Sequence, residues 1–444
     1  MDHYGETVTV SLLEHEALDF VRALIRIESI NTGSPDTIGD GETRAARFVQ
    51  ERLEDAGITT TFVEPVPGRG SVIARLSGTD PEAGALIVHA HLDVVPVDER
   101  EWTRPPFGAV IEDGLLYGRG AVDMKDFAGV ILAVAREFAR SGIRPRRDLI
   151  FAFLADEEAG GRWGASWIVQ NRPDLLAGAS EAISEVGGFS VPLAGSRRAY
   201  LLATAEKGVG GAVLTARGEA GHASRPRHDD PVVRLASAVA RIGAHRFPVV
   251  RTPALERFLE VFGAERGLAF TDDALDAQLE GIGFVGRVIA ASARQTAAPT
   301  VLRAGDKSNI IPATAQASLD LRALPDREHE LREQILRLAG DEVEVTWSES
   351  LAPIASPLDT PFQSVIARSV AAEDPDGVVV PYLLPASTDN KHFARLGVSG
   401  YGFVPLRVPD DFDVYGQFHA ADECVPVESL HFSARTTARI LRDA

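Results

Sequence analysis

Cysteine is almost absent: Cys424 is the one thiol in 444 residues. No intrachain disulfide can form, which fits a reducing compartment. Long apolar runs are missing too. No stretch approaches the about 20 residues that span a bilayer, so no membrane partner is expected. The opening residues, MDHYGETVTVSLLEHEALDF, carry neither a basic n-region nor a long apolar h-region. No signal peptide is expected, and the chain reads as cytoplasmic. Positive charge is in deficit: 45 Lys and Arg face 64 Asp and Glu, a formal net charge of −19. A surface this acidic argues against nucleic acid, whose phosphates need a basic face. Lysine is the scarcest charge, confined to Lys125, Lys207, Lys307 and Lys391. A GC-rich genome would bias composition this way. All four nevertheless fall in or beside the motifs below, a hint that some sites need a compact ammonium rather than a planar guanidinium.

What is present is ordinary for a soluble globular protein: 45% apolar and 25% charged residues. Domains commonly hold about 100–200 residues, so this length implies two domains or one with an insertion. Apolar spacing predicts helices over 12–27, 43–55 and 126–140. Strands are predicted over 71–77, 85–89 and 148–156, the last two apolar enough for buried parallel strands. This alternation points to an α/β sheet covered on both faces. After Ser190 the texture changes. Residues 201–217 and 314–323 look like half-exposed strands, and 230–243 and 326–338 like helices. They suggest a β-α-β-β-α-β unit, interrupted over about 246–299 by helical LERFLEVF and LDAQLEGIGFVGRVI. The expected division is a catalytic domain over 1–199 and 351–444, with an inserted α+β lid over 200–350.

HAHLDVVP (89–96) follows an apolar strand, so His91 and Asp93 fall at a strand's C-terminal end, where open α/β sheets bind ligands. His-x-Asp can supply a metal ligand and the carboxylate that orients it. Alone, such a tripeptide is more often structural, and His89 is expected to pack beneath the site. GRGAVDMKD (118–126) places two glycines just before Asp123. It lacks the spacing of a phosphate-binding loop, and a lone loop aspartate is normally a turn residue. DEEAGG (156–161) puts three acids at a strand end. They repel one another without a cation or solvent, although a helix N-terminus would also favour acids. AISEVGGFS (182–190) ends an apolar run on Glu185, and HAADE (419–423) supplies a late His419. Together His91, Asp123, Glu158, Glu185 and His419 make a mixed nitrogen and oxygen ligand set suited to zinc or a similar ion. Five ligands exceed the three of a typical single catalytic zinc; two metals sharing a carboxylate would use them all.

These motifs, continued by GHASRP, NIIP…DLR and HAADECVPV, resemble the zinc-dependent amidohydrolase family of glutamate carboxypeptidase, aminoacylase, succinyl-diaminopimelate desuccinylase and yeast carboxypeptidase S. The match runs in order from about 89 to 428. The resemblance implies a zinc-peptidase-type catalytic domain with a mixed, mainly parallel sheet and a ferredoxin-like lid. It implies hydrolysis of a dipeptide or N-acyl amino acid beside a free carboxylate, using two divalent ions, zinc or else cobalt or manganese, and a water bridging them. His91 and Glu185 would bind one ion and Glu158 and His419 the other. Asp123 would bridge them, through a cis peptide to Met124, and Asp93 would orient His91. Glu157 would be the general base. His222 of the lid would polarise the scissile carbonyl across a homodimer interface, while Asn309 and Arg322 would hold the substrate and its carboxylate.

Two departures stand out. PASTDNKHF (385–393) has no glycine pair where relatives carry one, which weakens the desuccinylase reading, and Val186 replaces a frequent glycine. His228, His245, His329, His392 and His431 fall outside the metal motifs and are expected to be structural or superficial. A non-catalytic binding or regulatory protein of this fold would be expected to lose Glu157 or a ligand, and every one is retained. A phosphate-transfer enzyme would need a Gly-Lys-Ser/Thr loop, which is missing.

Overall fold

The computed structural model describes residues 10–225 and 228–444. Pro226, which closes the GHASRP motif, and the first residues read for a leader lie outside them. Among the described residues a ten-stranded, mainly parallel sheet forms the large body. Its central strands are Leu149–Leu154, Ala85–His91 and Ala179–Ser184, mutually parallel and neighbours in that order. Every residue of Ala85–His91 and of Leu149–Leu154 is buried. The side-chain alternation of a strand explains why. Leu86, Val88 and Ala90 meet the helices Leu12–Ile25, Lys125–Ser141 and Val427–Asp443 on one face. Ile87 meets Ile168 and Phe393 on the other. Such two-sided cover is what an unbroken apolar run requires. The first helix begins at a capping box, in which Ser11 and Glu14 satisfy each other's backbone N–H. No helix among the described residues is long and apolar enough to cross a membrane.

The expected strand over 201–217 is two strands. Arg198–Glu206 belongs to the large sheet, and Gly208–Arg217 belongs to a separate four-stranded sheet. Nothing in LLATAEKGVGGAVLTAR breaks the extended pattern, because the chain crosses between sheets at Lys207 without turning back. The smaller sheet comprises Gly208–Arg217, Thr296–Ala304, Thr314–Ala323 and Val343–Trp347, with helices Pro231–Ala244 and Glu328–Ala339. In chain order its strands lie second, third, first, fourth, all antiparallel, which is the ferredoxin-like arrangement. Its core, around Leu214, Leu235, Leu319 and Ile335, is separate from that of the large body.

The helices between 246 and 299 differ from expectation in where they pack. Pro253–Arg266, Leu275–Glu280 and Phe284–Ser292 contribute Leu255, Phe258, Leu279 and Ile289 to the core of the large body, not to the lid. An amphipathic helix announces an apolar face but not the partner of that face.

Candidate metal centre

Three parallel strands end at one edge of the large sheet. From those ends come His91 and Asp93, the turn Asp156–Glu158, and Glu185. Asp123 arrives just before the helix Lys125–Ser141, and His419 from the loop preceding Cys424–Pro426. The Asp123–Met124 peptide is cis, and so is Glu185–Val186.

Asp123 stands at the centre. Its Oδ1 lies 3.0 Å from His91 Nε2, and its Oδ2 lies 3.1 Å from His419 Nε2. The same His91 nitrogen is 3.6 Å from Glu185 Oε2, and the same His419 nitrogen is 3.4 Å from Glu158 Oε2. The five side chains therefore form two half-sites that share one carboxylate. Glu157 falls on the His91 side, with ligand atoms of Glu157, His91 and Glu185 within 4.8 Å of one another. Asp93 ties these pieces together. Its backbone oxygen is 3.0 Å and its Oδ1 3.5 Å from His91 Nδ1. Its carboxylate also accepts from the backbone N–H groups of Glu157 and Glu158 at 3.1 and 3.0 Å.

Burial, reinforced by the charge of Asp123, pushes the Glu158 carboxyl up to about 8. Burial likewise pushes Glu185 up to about 8, against the pull of His91. For His91, burial disfavours the charged ring, but Glu185, Asp123 and Asp93 outweigh it and raise its pKa. Hydrogen bonds to Asp123 and Glu158 lift His419 to about 10. Asp123 goes the other way: burial opposes its charge, and the bonds from His419 and His91 hold it well below the carboxylate range. Glu158 Oε1 is buried without a hydrogen-bond partner. Three converging carboxylates, two imidazoles and an orphaned oxygen fit divalent cations of borderline softness.

The lid residues stand apart from this cluster. His222 is exposed, on the two-residue bridge pairing Gly221–His222 with Ile310–Ile311, and its Nδ1 is 2.8 Å from Ser224 Oγ. Asn309, also exposed, lies next to it and accepts from Ala223 N at 3.1 Å. Arg322 spends its fork on Asp320, with bonds of 2.8 and 3.1 Å.

Residues 87–443 match the sequence profile of peptidase family M20/M25/M40. The chain belongs to this family. It is 28% identical over 401 residues to aminoacylase-1 of Pongo abelii, covering 89% of this chain and 88% of that one. It is 28% identical over 382 residues to the probable carboxypeptidase S-like 2 of Dictyostelium discoideum, covering 81% and 71%. Its fold is similar to that of the M20 family metallo-carboxypeptidase Sso-CP2 of Sulfolobus solfataricus, with a TM-score of 0.71, 20% identity, and 96% and 98% of the two chains covered. The chain is a metal-dependent peptidase or amidohydrolase.

The segment 385–393 is bonded in beneath the centre. Glu206 accepts from Thr388 N at 2.8 Å and Thr388 Oγ1 at 2.7 Å. Asn390 Oδ1 lies 2.9 Å from Nε2 of His89, which is buried under the site as expected. His392 is buried and donates to Gly160 O at 3.1 Å. Among the residues that the motifs do not single out are two charged ones. Glu423 is fully buried and holds the loop before Asp123, accepting from Arg119 Nη1, Gly120 N, Val122 N and Asp123 N at 2.7–3.1 Å. It lies inside HAADE, yet a carboxylate clamping backbone N–H groups 300 residues away has no local signature. Lys207 is the other. It is 1% exposed at the junction of the two sheets, and burial, then Arg322, depress its pKa to about 7. Only lysine scarcity pointed to it. Lys125, also buried, donates instead to Ile27 O at 2.8 Å, and Lys307 is exposed.

Proposed function

We propose that this chain hydrolyses the amide bond of a dipeptide or N-acyl amino acid beside a free carboxylate, with Glu157 as general base. The observation that carries this is the division of Asp123, whose two oxygens face two different histidines. His91, Glu185 and Asp123 Oδ1 would hold one divalent ion, and His419, Glu158 and Asp123 Oδ2 the other, zinc being the first candidate. When bound, such ions supply Lewis acidity, easing ionisation of a water and stabilising charge on the carbonyl oxygen. The remaining work falls to the chain. Glu157 takes the proton of the attacking water and passes it to the leaving nitrogen. Asp93 fixes the His91 ring and the Glu157–Glu158 turn in one frame. His222 donates to the developing oxyanion, an effect worth roughly 3–4 kcal/mol for a well-placed donor. Lys207 and Arg322 receive the substrate carboxylate. The substrate class is supported by relatives named as an aminoacylase and a carboxypeptidase.

A panel of dipeptides and N-acyl amino acids, supplied separately with zinc, cobalt and manganese, tests the reading. Chelation should abolish hydrolysis, and added metal should restore it. Glu157→Gln should retain metal and lose turnover by about 100-fold or more, whereas Glu158→Gln should weaken metal binding. Full activity in protein shown by elemental analysis to be metal-free would sink the mechanism. An empty site in Glu157→Gln with normal metal in Glu158→Gln would reverse the two roles.

A further inference from the structure

Asp93 is held from behind by a buried polar chain that begins far from the metal motifs. Asn31, Arg69, Glu42 and Asp156 are none of them more than 3% exposed. Asn31 is the hub. Its Nδ2 donates to Asp93 Oδ2 at 2.9 Å and to Asp156 Oδ1 at 3.1 Å. Its Oδ1 accepts from Arg69 Nη2 at 2.9 Å and from Gly33 N at 3.0 Å. Both amide hydrogens and both oxygen lone pairs are thus committed. A flipped amide would turn its NH₂ towards the Arg69 and Gly33 donors, so only one orientation is possible. The backbone is pinned as well. Asn31 N donates to Val94 O at 2.8 Å, Val94 N to Ser29 O at 3.0 Å, and Ser29 Oγ to Leu92 O at 2.6 Å. Arg69 is fixed in turn by ion pairs with Glu42 and Asp156.

Asp93 and Asp156 are both acidic and buried, and their carboxylates converge on the one Asn31 amide nitrogen. A neutral group with two donors is what the space between them requires. Asp93 in turn accepts from Glu157 N and Glu158 N and abuts His91 Nδ1. The position of three active-site side chains therefore depends on one carboxylate, and that carboxylate depends on Asn31.

We propose that Asn31 is a positioning residue of the metal centre, acting through Asp93 on His91 and on the Glu157–Glu158 turn. This rests on the centre proposed above. Residues that orient metal ligands are commonly worth about 10–100-fold in metal affinity, and a loss of that size is expected here. Asn31→Asp retains the acceptors for Arg69 and Gly33 but removes both donors; Asn31→Ser leaves room for water to replace them and tolerates folding best. Zinc affinity is measured for each by competition with a chromophoric chelator, on protein whose metal-free fold is confirmed by circular dichroism. Ser71→Ala is the matched control. Ser71 is equally buried and accepts from Ala155 N at 3.0 Å, but has no hydrogen bond to Asp93. It should lower the melting temperature and leave zinc affinity alone. Weakened zinc binding by folded Asn31→Asp, or to a smaller degree by Asn31→Ser, is the expected result. Wild-type affinity in either folded variant overturns the role of Asn31. A wild-type chain that fails to bind zinc overturns the centre itself, a distinct outcome.

Discussion

Lys391 Nζ lies 3.7 Å from Glu157 Oε1, with neither side chain more than 12% exposed. Burial raises the pKa of Glu157, and Lys391 is the largest influence in the opposite direction. The ammonium therefore opposes the effect of burial and favours the ionised form that must accept a proton. Lys391→Ala should raise the Glu157 pKa, move the acidic limb of the kcat profile to higher pH and cost about tenfold or more at neutral pH. Lys391→Arg should restore the limb by restoring the charge. An unmoved limb in Lys391→Ala would show that the ion pair does not tune the base.

The centre should also exchange protons for metal. Burial lifts Glu158 and Glu185 to about 8, above the ordinary 4.5 of an unfolded glutamate. The folded, metal-free protein then holds protons that the unfolded chain releases. Such a group adds stability below the unfolded pKa and loses it as pH rises through the folded one. Metal-free protein should therefore melt at a falling temperature as pH rises through the range from 4.5 to about 8. Zinc binding at neutral pH should release protons, since carboxylate ligands must be ionised. Calorimetry in buffers of differing ionisation enthalpy reads the release directly; a binding enthalpy independent of buffer would refute it.

How much of this was legible beforehand differs from residue to residue. His91, Glu158 and Glu185 were legible as candidates because an apolar strand running into a ligand-type residue is a local pattern. Thr296–Ala304 went unseen: it is an edge strand, mostly exposed, built from Ala and Pro as much as from β-branched residues. The break at Lys207 was hidden because the strands on both sides are extended. Asn31 could not be found at all. Its partners lie 38, 62 and 125 residues away, so its function exists only in the fold.

The substrate carboxylate should be read more strongly by Lys207 than by Arg322. Arg322 already has Asp320 on its fork, whereas burial and Arg322 leave the Lys207 ammonium without compensation. A charged hydrogen bond is worth about 1.5–3 kcal/mol, roughly 10–100-fold. Amidating the substrate carboxylate should cost wild type about that factor in kcat/KM, and cost Lys207→Ala much less. Because burial first, and Arg322 second, hold Lys207 at about 7, KM for the free carboxylate should rise above that pH. Equal penalties for capping in wild type and Lys207→Ala would remove Lys207 from the site.

His222 is expected to act in a neighbour's site. In a single chain it is exposed, on the Gly221–His222 bridge, with its Nδ1 taken by Ser224. Among the described residues, the ligand groups that converge around His91 do not include it. A histidine that serves the reaction yet faces outward needs either lid closure or a second copy. The edge strand Thr296–Ala304 of the four-stranded lid sheet, a sheet separate from the Gly221–His222 bridge, exposes Val301 and Leu302, at 43% and 59%, which favours a second copy. Two-fold dimers are the commonest way to cover such a surface. Sedimentation should therefore show a homodimer. His222→Ala and Glu157→Gln should each be inactive alone. Mixed under subunit exchange, a heterodimer has one site with Glu157 from one chain and His222 from the other, and that site is whole. Random exchange makes half the dimers mixed, so recovery should reach about a quarter of the wild-type rate. If each chain used its own His222, every site in the mixture would lack one group, and demonstrated exchange without recovery would establish that arrangement instead.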